Sequence, residues 1–575
     1  MQGVIGLRST LAAAGVVFAV VRLSAWGAEA DVLETQDNLR LVVYAETGET
    51  AARAPEQGWT PITWEGLMMA QKPEEGEQVS RAPAPVVSVT EFGARGDGVS
   101  DDQPAIQKAI DTVEAAGGGT VILPPSEQPY VVGASVTIRG SQVKLLGYGA
   151  TVKLADHAGD GRVVDVMQVV GRAEAPVEDV VIAGLTVDGN YWAQSEAHNP
   201  RCLDCAHALR ALVRDCQFTR GFVTMTFGKG CHQCTALNCT ATRWHNDGFS
   251  ASGDGVSGGC TGISFINCHA RESPNDNDGG LPGRRDGAWE IEDGAQDVWL
   301  VNCSVERAGG SAFTVRNHTS YAEEVTESIN FVNCWVSEVR GAAWGVSSRT
   351  EANVTRRIRL LNCRADRPVK LVSGVAEVAI SGEFMGGLLL GSPKSGPPLR
   401  EVEIGNVRTN YLSLFAHEVR VANLAVQADG PRGIELHDGC SDVEMVHCTV
   451  TGASEAGIAC ANVPAFIANS ILWGNAAALA VEGPEEPTLS HCCVEGGLPE
   501  GCRDGGGNIT EDPLLAGAGS GDLRLREGSP CAGAGLPLSE LSLRLRAMAG
   551  RDLEGRPRPE PPGSPPELGA WESGV

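Results

Sequence analysis

The sequence predicts an all-β protein built as a parallel β-solenoid, and three observations carry that prediction. A short phrase recurs along the chain: Asp215-Cys216, Asn238-Cys239, Asn267-Cys268, Asn302-Cys303, Asn333-Cys334 and Asn362-Cys363, with His447-Cys448 as a late echo. The steps between cysteines are 23, 29, 35, 31 and 29 residues. That irregularity excludes a strict helical repeat and suits coils carrying loops of different length. Each phrase closes a short β-rich run, such as Ile263-Ser264-Phe265-Ile266 or Val298-Trp299-Leu300-Val301. Third, 72 glycines and only 5% aromatics fit many tight turns around a narrow core. Alternation of two predicts an inward cysteine, with the apolar residues two and four before it on the same face. Stacked coils set like residues about 4.8 Å apart. The asparagines then form a ladder whose amides satisfy one another, as stacked amides do in cross-β packing.

The elements follow in order. Residues 1–30 read as a secretory signal: Arg8, an apolar run over 11–21, and a small-x-small site at Ala28-Glu29-Ala30. The apolar run is too short to span a bilayer and Arg22 interrupts it; a membrane anchor is the alternative. The expected location is exported: secreted, periplasmic or at the cell surface. Residues 31–85 read as an extension and linker with one strand-like run over 39–44. From residue 86 to 155 the chain reads as an N-terminal cap and first coils. An amphipathic helix is expected from residue 103, with Asp102 as its N-cap, Pro104 in its first turn and Gly117-Gly118-Gly119 ending it. Residues 156–495 are the repeats, and 496–575 a C-terminal cap and tail.

Those 86–155 residues also carry a resemblance. FGARGDGVSDDQPAIQKAID, then GGGTVILPP, then Val143-Lys144-Leu145-Leu146-Gly147 resemble the start of the pectate-lyase superfamily, of the rhamnogalacturonase and C5-epimerase-like type. The resemblance implies a right-handed single-stranded parallel β-helix with a short N-terminal capping helix. It leaves the reaction open, because the superfamily hosts hydrolases, lyases, epimerases and phage depolymerases. The tail from Gly505 resembles the ending of many secreted bacterial β-helix proteins, which implies a capping role.

Export permits disulfides among the 18 cysteines. Cys202-Leu203-Asp204-Cys205 and Cys231-His232-Gln233-Cys234 are CxxC pairs that leave disulfide, zinc and unpaired core thiol all open. A net charge of −27 with no basic stripe argues against nucleic acid as a partner. No later stretch is long and apolar enough for stable membrane insertion. The expected partner is a polysaccharide, bound by a monomer or a homo-oligomer.

Chemistry is expected on one sheet face. Taking Phe249, Trp289, Phe313 and Trp344 as an inward column fixes an outward one: Ser250 and Ser252, Glu290 and Glu292, Thr314, Arg316 and His318, Ser347 and Arg349. Asp247 and Asp286 stand at strand entrances. A loop over 273–285, rich in Asn, Asp and Gly and ending in Arg284-Arg285, projects beside them and suits the wall of a binding site. Glu290 and Glu292, about 7 Å apart on one strand, are candidate ligands for Ca²⁺, the candidate cofactor. His318 is the candidate base and Arg316 the clamp for a uronate carboxylate, with Arg284, Arg285, Arg349 and Trp289 as substrate contacts. The Glu-x-Glu strand followed by Arg-x-His also resembles β-helix lyases of the chondroitinase B and alginate lyase type. That resemblance implies calcium on Glu290 and Glu292 and a catalytic Arg316, although Gln296 and Asp297 stand where those enzymes carry a lysine. Hydrolysis would instead use Asp247 with Asp286, or Asp286 with Glu290, at the roughly 5–9.5 Å separations that glycosidases need. The polygalacturonase pattern is missing: no paired Asp-Asp or Gly-His-Gly occurs in the coils. The leading expectation is lyase-type depolymerisation of a uronate-containing glycan. Glycoside hydrolysis and a non-catalytic glycan-binding or cell-surface scaffold are the alternatives.

Overall fold

The computed structural model describes residues 84–158, 164–195, 198–253, 259–273, 287–317, 324–348, 354–372, 374–517, 519 and 521–572, with the backbone of five short strands between 22 and 71. The strand expected at 39–44 runs Leu39–Glu46 and pairs antiparallel with Asp31–Glu34 and Leu67–Gln71. Residues 1–21 and 25–30, most of the expected signal, lie outside the described residues.

Parallel pairing builds the body, as the repeats require. One 14-stranded parallel sheet contains Val136–Ile138 (β1), Met167–Val170 (β2), Arg201–Ala206 (β3), Val223–Phe227 (β4), Asp247–Ser252 (β5), Trp289–Glu292 (β6) and Phe313–Arg316 (β7). It continues through Trp344–Val346 (β8), Val369–Leu371 (β9), Leu388–Leu390 (β10), Leu412–Leu414 (β11), Arg432–Leu436 (β12), Ala456–Ala461 (β13) and Leu479–Glu482 (β14). A 28-stranded sheet forms the other walls of the coils. There each coil typically supplies two strands joined at the Asx-Cys phrase, as in Leu212–Arg214 and Gln217–Thr219. Right-handed crossover is the rule for parallel neighbours.

The ladders form, with one correction. Nδ2 of Asn238 donates to Asp215, Asn267 to Asn238, Asn302 to Asn267 and Asn362 to Asn333, at 2.7–3.1 Å. Each of these residues sits in the left-handed region, near φ 53–57°; asparagine tolerates it better than most residues. That single left-handed residue breaks the alternation of two. Cys268 therefore shares the core with Phe265 and Ile263, not with Ile266. Ile266, Trp299, Val301 and Val332 form a separate apolar strip. All eighteen cysteines are free thiols, seventeen of them buried. Those of the ladder satisfy their S–H on main-chain carbonyls, as Cys239 does on Val213 and Leu237, so the CxxC pairs hold no disulfide.

The helix (α1, Gln103–Ala115) buries Ile106, Ala109, Ile110 and Val113 against the first coil. Asp102 occupies its N-cap position but turns its carboxylate to the amides of Arg95 and Gly96. Asp101 accepts from Gln103 N instead. The tail does more than close an end. Its helix (α2, Leu543–Ala549) packs Leu545, Met548 and Ala549 on Ala422, Val446 and Ala468 of the late coils. No helix among the described residues is long and apolar enough to cross a membrane.

Candidate functional site

Aromatic stacking sets the register at the expected site. Phe249 stacks on Trp289 at 4.3 Å, Trp289 meets Phe313 at 5.8 Å, and Phe313 stacks on Trp344 at 5.1 Å, all within the core. Their positions pair strand to strand, as do Ser250–Glu290–Thr314 and Ser252–Glu292–Arg316. The inward aromatic column therefore drives Glu290, Glu292 and Arg316 to the opposite face. Trp289 is 1% exposed, so it is a core residue and not the substrate contact expected of it; the stack that sets the register also encloses the ring. The entrances need glycine. A Cβ on Gly248 would stand 2.7 Å from the carbonyl of Ala288, and one on Gly287 2.5 Å from the Thr314 hydroxyl.

Four of the expected residues come together here. A nitrogen of Arg316 lies 2.7 Å from Glu290 Oε1, and its Nε 3.8 Å from Glu292 Oε2. Asp247 stands at the entrance of β5, where Oδ2 accepts from Asn246 Nδ2 at 2.8 Å. Burial, with Glu290 and then Glu292 alongside, holds the Asp247 carboxyl well above the ordinary carboxylate range. Its Oδ1 is buried with no donor to accept from. A protonated carboxyl turned to the Glu290 carboxylate accounts for both observations. Glu290 is 2% exposed and Asp247 4%. This is therefore not the solvated ion pair that outward carboxylates beside arginine usually make, and such pairs are worth little.

Asp286, His318, Arg284, Arg285 and Arg349 lie outside the described residues. The site has neighbours the sequence reading did not single out. Asp204, on the Ser250 column two strands earlier, is also pushed up by burial and is paired with Arg201 at 3.2 Å. His245, two residues before Asp247, stacks on Tyr191 at 4.3 Å and lies 5.5 Å from Phe222. Its place just outside the strand hid it from a reading based on alternation.

Calcium needs six to eight oxygens. Among the described residues no group of three or more His, Cys, Asp or Glu is arranged to hold a metal ion. A cation on Glu290 Oε1 would also have to displace Arg316. The described residues supply the two expected glutamates but not a calcium cage.

Residues 86–180 match the family described as Rhamnogalacturonase A/epimerase, pectate lyase-like. Mannuronan C5-epimerase AlgE6 of Azotobacter vinelandii is 40% identical over 117 residues, 18% of this chain and 12% of the epimerase. Alginate lyase 7 of the same organism is 37% identical over 110 residues, again 18% of this chain and 12% of the lyase. The chain thus spans about an eighth of the length of these relatives. Among solved structures, the AlgE6 A-module of A. vinelandii overlays with a TM-score of 0.42 at 19% identity, over 74% of this chain and 99% of the module. Residues 86–180 are thus similar to a pectate-lyase-like family, and the coils that continue from them build a right-handed parallel β-helix.

Proposed function

We propose that the protein is a polysaccharide-active enzyme that cleaves a uronate-containing glycan by elimination, on the outward face of β5–β7. The observation that carries this reading is the buried pair Asp247 and Glu290 beside Glu292 and Arg316, where burial and the two glutamates raise the Asp247 pKa. The relatives named for mannuronan and alginate support a uronate substrate. A uronate carboxylate competes for Arg316 and draws the guanidinium from Glu290, in the two-pronged pairing that arginine favours. Charge neutralised at the carboxylate acidifies the adjacent C5–H. Glu290, released from its counter-ion, takes that proton while the C4–O bond breaks and a C4=C5 double bond forms. Asp247 gives its proton to the departing oxygen. His318 stands as the alternative base.

Hydrolysis is the second reading, and Asp247 favours it as well: a protonated acid beside an ionised carboxylate is the pair a glycosidase uses. Incubation with a panel of polysaccharides separates the two. Ultraviolet absorbance from unsaturated uronate ends accompanies elimination; new reducing ends without it mean hydrolysis. Chelator leaves turnover unchanged where Arg316 is the counter-charge. Turnover abolished by chelator and restored by calcium assigns Glu290 and Glu292 to the metal.

A further inference from the structure

Five strands beyond Glu290, the same sheet face carries a second polar group. Ser413 is the outward residue of β11 and pairs in register with Glu435 of β12; His437 follows two residues later. Ser413 Oγ lies 2.9 Å from His437 Nε2, and His437 Nδ1 lies 4.0 Å from Glu435 Oε1. Glu435 is held in turn by the Tyr411 hydroxyl and the Arg432 guanidinium. At 4.0 Å Glu435 is beyond hydrogen-bond reach of Nδ1, but its negative charge on that side of the ring favours the tautomer with the hydrogen on Nδ1, which leaves Nε2 to accept from the serine. Nucleophile, base and orienting acid are thus in the order that acyl transfer requires.

Other Ser–His contacts set this one apart. His269 meets Ser304 at 2.8 Å, His417 meets Ser441 at 2.6 Å, and Ser490 meets His491 at 3.0 Å. Among the described residues, none of these histidines has a carboxylate within 4.0 Å of a ring nitrogen, as His437 has. The side chain of His437 keeps 26% of its surface while Ser413 keeps 7%, so the imidazole is the part of the pair that meets solvent. Lys370 stands two strands away in the Ser413 column, a cation on the same face for an anionic substrate; Arg432 is held by Glu435.

We propose that Ser413, His437 and Glu435 form an esterase site that removes acyl groups from the hydroxyls of the bound polysaccharide. The choice of a uronate polymer rests on the reading above; the acyl-transfer chemistry does not. The two sites share one sheet face roughly 24 Å apart, at about 4.8 Å per strand. Ser413 Oγ attacks the ester carbonyl while His437 takes its proton. The acyl C–O bond breaks, the sugar hydroxyl leaves with that proton, and the acyl group stays on Ser413. Water, deprotonated by His437, then releases it as the carboxylic acid and restores the serine. Ser413 and His437 are catalytic residues; Glu435 positions the imidazole.

The test uses the full chain with p-nitrophenyl acetate, a fluorophosphonate probe and an O-acetylated uronate polymer. The expected result is covalent labelling of Ser413, hydrolysis of the small ester, and acetate release from the polymer. Ser413→Ala abolishes all three, and His437→Asn lowers turnover by ~10²–10⁴-fold. Glu435→Gln lowers kcat by about 10-fold or more while KM holds. Circular dichroism checks that each variant is folded, and formation of unsaturated uronate ends is followed in the same samples. A folded protein that neither labels nor hydrolyses the small ester overturns the proposal, as does hydrolysis that survives Ser413→Ala. Hydrolysis of the small ester without acetate release overturns the polymer assignment. Loss of unsaturated ends alone counts against the uronate-elimination reading and leaves the esterase result standing.

Discussion

Two buried charge clusters in this molecule hold similar groups and differ in what satisfies them. In the tail, Arg558 lies 3.5 Å from Glu572, both side chains fully buried. The carboxylates there are met by main-chain amides: Asp552 accepts from Glu554, Arg556 and Glu572, and Glu572 accepts from Glu560 and Glu567. On the sheet face, Glu290 and Glu292 share Arg316, and Oδ1 of Asp247 beside them is buried with no donor to accept from. The cause is geometric. An irregular tail can turn its amides toward a carboxylate, whereas the amides of a parallel strand are committed to the ladder on either side. A carboxylate on a sheet face is met only by side chains, so a crowded one keeps its proton. The first arrangement holds the chain together; the second stores an acid beside a base.

Separate perturbation of the two clusters breaks or sharpens that contrast. Glu290→Gln is expected to lower turnover on the uronate polymer by ~10²–10⁴-fold while the denaturation midpoint moves little. Arg558→Met shows the converse: about 3–5 kcal/mol lost from unfolding free energy, because Glu572 is left buried without its counter-charge, and unchanged turnover in the folded fraction. Equal effects of the tail and sheet variants on both readouts would erase the distinction.

The asparagine ladder offers a neutral reference between the clusters. Asn302→Ala removes the amide bonded to Asn267 at 2.9 Å and forces alanine to φ 57°, a loss of about 2 kcal/mol. Asn302→Gly keeps the backbone conformation and loses about half of that. The smallest effect belongs to Asp247→Asn and depends on pH. A carboxyl whose pKa is raised by folding holds its proton more tightly in the folded chain. Its contribution is present below the ordinary carboxylate range and fades as pH rises through the folded value. The amide removes that dependence, so Asp247→Asn should be more stable than wild type at neutral pH and lose that advantage in acid, while activity falls. Thermal midpoints measured across pH check the slope.

Much of this was legible in the residues. The Asx-Cys phrase announced the coils, and the Phe249–Trp289–Phe313–Trp344 column placed Glu290, Glu292 and Arg316 on one face in the register observed. Alternation misled at the turn, because a left-handed asparagine costs one residue of period and moves Ile266 out of the core that Cys268 occupies. It misled again at Trp289: a residue that sets the inward column has no surface left for a sugar. The burial of Glu290 was not legible, since periodicity reports which face a side chain is on and not how far that face is covered. Ser413 and His437 were missed for a related reason. They belong to successive strands of the sheet and only stacking brings them together, although Glu435-x-His437 shows the same alternation that drew notice at Glu290-x-Glu292.

The most direct test of the central claim is reaction in deuterium oxide with a polymannuronate or polyguluronate chain, comparing wild type with Glu290→Gln by mass spectrometry and proton resonance. Wild type is expected to give products with unsaturated uronate ends, and the variant none at equal folded concentration. Saturated products with new reducing ends, or unsaturated ends undiminished in Glu290→Gln, would contradict it.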